Sequence, residues 1–206
     1  MISARDGAGP RIDAWAKVAE SARIVGNVTI GSRCYIDHNV LIASSGPLVE
    51  LLDEVVVLAG SVVRSVGGGA RPPSEVHIGP HTLIATLCSI VGSIIESNCY
   101  IATGVIMLQD AVIGAGTRIG AGAIVHSRTR LPPNARVGLR HVAVPNGDGF
   151  ISTADVEEAR RAIAALDFFE HSFEVDEQDQ LLQQQRVIAK VLAEAAGGTR
   201  AGRPRR

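Results

Sequence analysis

From Ile95 to Arg130 the chain reads IESNCY, IATGVI, MLQDAV, IGAGTR, IGAGAI, VHSRTR. Each block of six opens on a branched or long aliphatic residue, and the fifth positions hold Cys99, Val105, Ala111, Thr117, Ala123 and Thr129. A fixed internal period is a statement about architecture. In an extended piece, positions one, three and five point the same way, and a turn between pieces breaks that alternation. Three six-residue pieces then make one triangular coil, with the aliphatic filling a wall and the small fifth residue a corner. Gly114 and Gly120, at position two, are expected where the chain bends sharply and a side chain would be in the way. Stacked coils pair their backbones about 4.8 Å apart, so one repeat cannot bury its own face and several in a row can. A sandwich of short strands does not turn every six residues.

Outward from this stretch the period runs in both directions. It begins at Ile12 and continues through Val18, Ile24, Ile30, Ile36 and Ile42, with Ala16, Ala22, Val28, Cys34 and Val40 as small partners. The run SSGP at 44–47 marks a turn, after which Leu52 and Leu58 open new blocks with Val56 and Val62 in fifth position. RSVGGGARPPSE at 64–75 has no aliphatic period and reads as a loop thrown out from one corner. The frame returns at Ile78, Ile84 and Ile90, steps five residues to Ile95, and runs on to Leu131 and Val137, so the coils are expected to end near Gly138. About six coils are expected in all.

After Pro145 the pattern becomes helical. Ser152 or Thr153 is the expected cap, Asp155, Glu157 and Glu158 lie in the first turn, and Val156, Ala159, Ile163 and Leu166 form an apolar stripe. A second helix is expected from about Asp179 to Ala196, with Leu181, Leu182, Ile188, Val191, Leu192 and Ala195 mostly on one side. The division is therefore 12–138 coils, 139–196 exit segment and two helices, and 197–206 a basic tail expected to be disordered.

Composition narrows the function classes. Of 206 residues 46% are hydrophobic but only 3% aromatic, which suits a narrow prism filled by Ile, Val and Ala. A net charge of -1 gives no overall pull toward nucleic acid or an anionic membrane, and neither is expected as a partner. MISARDGAGPR at the start holds no apolar run, and no stretch is long enough to span a bilayer, so neither a signal peptide nor a membrane segment is expected. Cys34, Cys88 and Cys99 are odd in number, form no CxxC and occupy inward fifth positions. They read as reduced structural thiols in a cytoplasmic protein.

Hexads, a long loop before Val76, a five-residue step from Ile90 to Ile95 and a following helix together resemble the left-handed parallel β-helix proteins, and among them the γ-class carbonic anhydrase-like group. The blocks NVTIGSRCYI, ASSGPLV and VHIGPHTLI look like segments of the pointed-end subunits of dynactin, which are similar proteins. The resemblance covers roughly Ile12 to Leu166. It implies a left-handed coil and a threefold assembly in which three histidines from two subunits hold a metal. Matched by the aliphatic frame, those positions fall on Ala43, Thr86 and Val91. None replaces imidazole, and a three-histidine site that loses its ligands cannot generate hydroxide at neutral pH. The expectation is no metal, no cofactor and no carbon dioxide hydration.

Other histidines do not rebuild that site. His38 shares a column with Thr86, Thr103 and Ala121, and His126 one with Ala43, Val91 and Leu108. The two columns face each other across the subunit boundary in the resembling proteins, yet His38 and His126 are about four coils apart, roughly 20 Å. Thr86, Val91, Thr103 and Leu108 with His126 make a mixed surface suited to a subunit contact or a small ligand. His77 and His81 are expected at different corners, facing solvent.

YIDHNVLI also looks like the IDH block of serine acetyltransferases, where the histidine is a general base. Asp37 cannot orient His38 if adjacent strand residues point to opposite faces. Unlike those enzymes the sequence has no second histidine in the right place and no ATG after His38, no acceptor-binding domain is expected before the coils, and the exit reads VGLRHVAVP where many acyltransferases of this fold have a GxPAK-like turn. The reading is an all-β, left-handed parallel β-helix followed by C-terminal α-helices, forming a homotrimer that binds a small molecule or partner protein without metal. The alternatives are an acyltransferase using His38 or His126 as base with acyl-coenzyme A as co-substrate, and a structural scaffold subunit.

Overall fold

The computed structural model describes residues 1–4, 7, 9–68, 71–166, 184–189 and 191–193. Short parallel strands wind into three sheets that form the walls of a solenoid. On the first wall Ile12, Ile30, Leu51, Ile78, Ile95, Ile113 and Leu131 stack in register. Val18, Ile36, Val57, Ile84, Ile101, Ile119 and Val137 do so on the second. Ile24, Ile42, Val63, Ile90, Met107, Val125 and Ala143 line the third. These three aliphatic columns make up most of one continuous core. Each fully buried Ile adds about 1.5–3 kcal/mol, which no single coil could gather alone.

Among the described residues ten other than glycine take a positive φ, and they fall at the corners. Arg33, Glu54, His81, Asn98 and Asn134 turn the first corner, Asn39, Leu87 and Arg140 the second, and Asp110 and Arg128 the third. Asn and Asp accept that backbone most readily, which leaves Arg33, Glu54, His81, Leu87, Arg128 and Arg140 as the less comfortable choices. Gly114 is required for another reason than a bend, because a Cβ there would lie 2.5 Å from Pro133 N in the next coil. Close stacking, and not local curvature, excludes the side chain.

First-wall pairings step by 18 residues from Ile12 to Ile30, then by 21 to Leu51, 27 to Ile78 and 17 to Ile95. The long step carries 64–75. It is not an irregular loop throughout: Val66–Gly68 pairs antiparallel with Arg71–Ser74 as a hairpin arm. The short step is closed by Gly92 at φ +48, where a Cβ would meet Ser74 Cβ at 2.6 Å. The arm and the short step therefore fit against each other.

Four expectations are corrected. In the third coil Leu51, Val57 and Val63 face inward with Val55 and Ser61, and Leu52, Leu58, Val56 and Val62 are only partly buried. The valine runs are apolar in both phases, and only the next block decides: a frame through Leu52 and Leu58 would place Arg64 inside. There are seven coils, since Val142–Asn146 completes the third wall beyond Gly138. That strand returns as Gly149–Thr153, so Ser152 and Thr153 are not the helix cap. Asp155 is the cap of α1 (Val156–Ala164), its Oδ1 accepting Glu158 N–H at 2.7 Å. Residues 184–189 and 191–193 are helical and largely exposed. Leu181, Leu182, Ala195 and the tail at 197–206 lie outside the described residues.

The cysteines are free and buried. Each thiol donates to a backbone carbonyl, Cys34 to Leu52 at 3.0 Å, Cys88 to Ala102 at 3.1 Å and Cys99 to Gly114 at 3.4 Å. Burial pushes all three above the ordinary thiol range, so they carry little thiolate.

Candidate functional site at the corner columns

The second corner stacks His38, Ala59, Thr86, Thr103 and Ala121 through backbone bonds from Gly60 to His38, Leu87 to Ala59, Gly104 to Thr86 and Gly122 to Thr103. The side chains of Thr86 and Thr103 meet at 3.2 Å between their hydroxyls. His38 is exposed, and its Nδ1 bonds Ser21 Oγ at 2.9 Å. Asp37 does not orient the ring: its Oδ1 accepts the backbone N–H of His38 at 2.7 Å and the Tyr35 hydroxyl at 3.1 Å. The backbone bond from His38 is the main reason Asp37 sits below the usual carboxylate range.

The other column follows the third wall outward. Ala43, Arg64 and Val91 are register partners, and Leu108 and His126 continue them through backbone bonds to Val125 and Ala143. Arg64 was placed in the loop by the sequence reading, so its position between Ala43 and Val91 was missed. His126 is only 7% exposed, with Nδ1 3.2 Å from Ser127 Oγ. Burial lowers its pKa below the ordinary imidazole value, and the charge of Arg128 adds to that. The shift favours the neutral form of the ring, the form that accepts a proton.

Within one chain His38 turns the second corner of coil two, and His126 ends the third wall of coil six. They do not meet. His77 and His81 stay apart as well: His77 Nδ1 bonds Glu50 at 2.9 Å on the first wall, and His81 Nδ1 bonds Glu54 at 2.6 Å on the first corner. Glu54 also accepts Arg33 Nε at 2.7 Å, mainly for which its pKa is lowered. Among the described residues no group of three or more His, Cys, Asp or Glu is placed to hold a metal ion. None of their helices is long and apolar enough to cross a membrane.

No family model matches the chain. It is 29% identical over 129 residues to γ carbonic anhydrase 1, mitochondrial, of Arabidopsis thaliana, covering 60% of this chain and 45% of that protein. It thus spans under half of that relative's length. A Bacillus cereus structure assigned as an acetyltransferase superposes with a TM-score of 0.51 at 18% identity, covering 95% of this chain and 98% of that one. The chain has the fold of a left-handed hexapeptide-repeat β-helix, and over 60% of its length it is similar to a γ carbonic anhydrase. The UDP-N-acetylglucosamine O-acyltransferase of Moraxella catarrhalis is a more distant match, at 16% identity and a TM-score of 0.44 over 93% of this chain and 96% of that one.

The positions that the resemblance to γ-carbonic anhydrases matches to metal ligands carry other side chains in this chain. Ala43 and Val91 offer no ligand atom, and the Thr86 hydroxyl is engaged by Thr103. A metal held by three imidazoles does not fit this donor set. What remains is a surface of hydroxyl and aliphatic groups, with Arg64 between Ala43 and Val91 in the column.

Proposed function

We propose that this chain is a γ-carbonic anhydrase-like protein without the metal site, which assembles as a trimer and binds a small molecule or partner protein at its subunit boundary. The observation that carries the reading is the replacement of the ligand set by Ala43, Thr86 and Val91 on an otherwise regular corner geometry. Thr86 and Thr103 would supply hydrogen bonds and Val91 and Leu108 apolar contact. The outer side of the third wall supports assembly. Its outward residues Leu41, Val62, Ser89, Ile106, Ile124 and Val142 form a mostly apolar stripe, and Ile106 is 41% exposed. Such a stripe invites cover, and a heterologous contact that closes on itself is one way to provide it. Light scattering on the wild type and on Ile106→Glu tests this: a trimer that falls to monomer on substitution is expected, and a wild-type monomer would refute it.

A second reading is favoured by one observation, the mostly buried imidazole of His126 beside Ser127. It suits a general base in acyl transfer with acyl-coenzyme A as co-substrate, His38 being the other candidate. Acetyl-coenzyme A should then raise the melting temperature by binding the folded state. His126→Gln should abolish transfer while leaving that rise intact. A transfer rate unchanged from wild type in both His126→Gln and His38→Ala would end this reading.

A further inference from the structure

The last two coils differ from the others in charge. Between Asp110 and Asp148 stand Arg118, Arg128, Arg130, Arg136 and Arg140, with no Asp, Glu or Lys among them. None of the five forms an ion pair among the described residues. Arg118 and Arg136 are even register neighbours on the second wall, an arrangement that raises the energy of the sheet.

Two of these arginines converge. Arg128 and Arg130 line a cavity of about 460 Å³ bounded by the hairpin turn Gly147, Asp148 and Gly149 and by Leu166 beyond α1. The Nε of Arg128 is buried and has no hydrogen-bond partner. A buried donor without a partner is rare in folded proteins and asks for an explanation. Its backbone offers none: Arg128 turns the third corner at φ +61, where the residue one coil earlier is Asp110, and an arginine gains nothing from that conformation. The rim is open, since a Cβ at Gly147 would meet nothing within 4 Å.

We propose that this cavity binds a small molecule through a carboxylate or phosphate held by Arg128 and Arg130. A guanidinium presents a planar fork of donors that matches such an oxyanion. The rest of the lining restricts the ligand further. Asp148 and the carboxyl end of α1 both carry negative charge toward the cavity. They favour a hydroxyl or amino group beside the anionic head and oppose a second anion, which argues against a polyanion such as nucleic acid. The cavity is lined by residues of one chain, so its test does not presuppose a trimer.

The test is calorimetric titration of the full chain with inorganic phosphate and, separately, with acetate, against chloride at fixed ionic strength. Saturable binding of one anion per chain is expected, and the anion that binds more tightly identifies the headgroup. Arg128→Gln and Arg130→Gln should each weaken binding at least about tenfold, as loss of a charge-assisted pair does. Asp148→Asn should strengthen it by about threefold, because a like charge is removed, a change that a purely structural role for the arginines would not produce. Absence of binding above the chloride control, or undiminished binding in the Arg128→Gln/Arg130→Gln double variant, would overturn the proposal. Should the arginine variants fail to fold, an unchanged affinity in Asp148→Asn would do so.

Discussion

The first corner of coils two to four and the arginine-bearing coils six and seven share one interior and have opposite exteriors. In the first region Arg33, Glu54 and His81 climb the corner as a chain of paired polar side chains, and Glu50 and His77 pair beside them. In the second, five arginines stand without an acid between Asp110 and Asp148. Both regions bury isoleucine to the same degree, Ile36 at 0% and Ile119 at 1% exposure. The stacking of a β-helix is therefore indifferent to what its corners display. Where the exterior pairs internally, the chain has satisfied itself; where it does not, a partner is to be sought outside.

The comparison first predicts equality inside. Ile36→Ala and Ile119→Ala should each cost about 2–5 kcal/mol in urea unfolding, as cavities in well-packed cores do. A cost near zero for Ile119→Ala alone would mean that the last coils are not part of the same cooperative core.

Outside, the two regions should respond differently to pH. Burial lowers the pKa of His126 in the folded protein. The unfolded chain therefore binds the proton more readily, and stability is full above the ordinary imidazole pKa of about 6.5. It falls as pH drops from there toward the lowered value. Urea midpoints between pH 8 and pH 5 should decline in the wild type and decline less in His126→Gln. An equal slope in both would place the titration elsewhere.

Glu54 has the opposite partner and the other window. Its pKa is lowered chiefly by the Arg33 bond, so its contribution is present above the ordinary carboxylate pKa of about 4.3 and is lost as pH falls through the lowered value. Melting curves should separate Glu54→Gln from wild type at pH 7 and converge in acid. Being exposed to solvent, the effect should also shrink in high salt. The smallest change expected is a gain: Arg136→Glu removes the like charge beside Arg118 and should raise the melting temperature slightly, whereas Arg33→Glu should lower it. A loss in Arg136→Glu would show that this arginine already has a structural partner.

The core was legible because period six states which residue faces inward, and Ile78 to Val137 need no further information. Leu51, Val57 and Val63 were misread because a run of valines satisfies two phases at once. The hairpin arm escaped because RSVGGGARPPSE lacks alternation, and the approach of Ser74 to Gly92 is long-range. Of the candidate site, the columns were readable from the frame and the contacts were not. Nothing local announces that Asp37 bonds the backbone of His38, or that Arg64 lies between Ala43 and Val91. The absence of acids between Asp110 and Asp148 leaves no mark on the hexad pattern and was passed over, and only the fold shows that Arg128 and Arg130 share a cavity.

The most direct measurement of the central claim is elemental analysis by mass spectrometry of the purified protein together with its solution mass. A trimer without stoichiometric zinc or iron is the predicted result, following from Ala43, Thr86 and Val91 at the matched ligand positions. About one zinc or iron per subunit, held by histidine, would contradict the account and return His77, His81 and His126 to consideration as ligands.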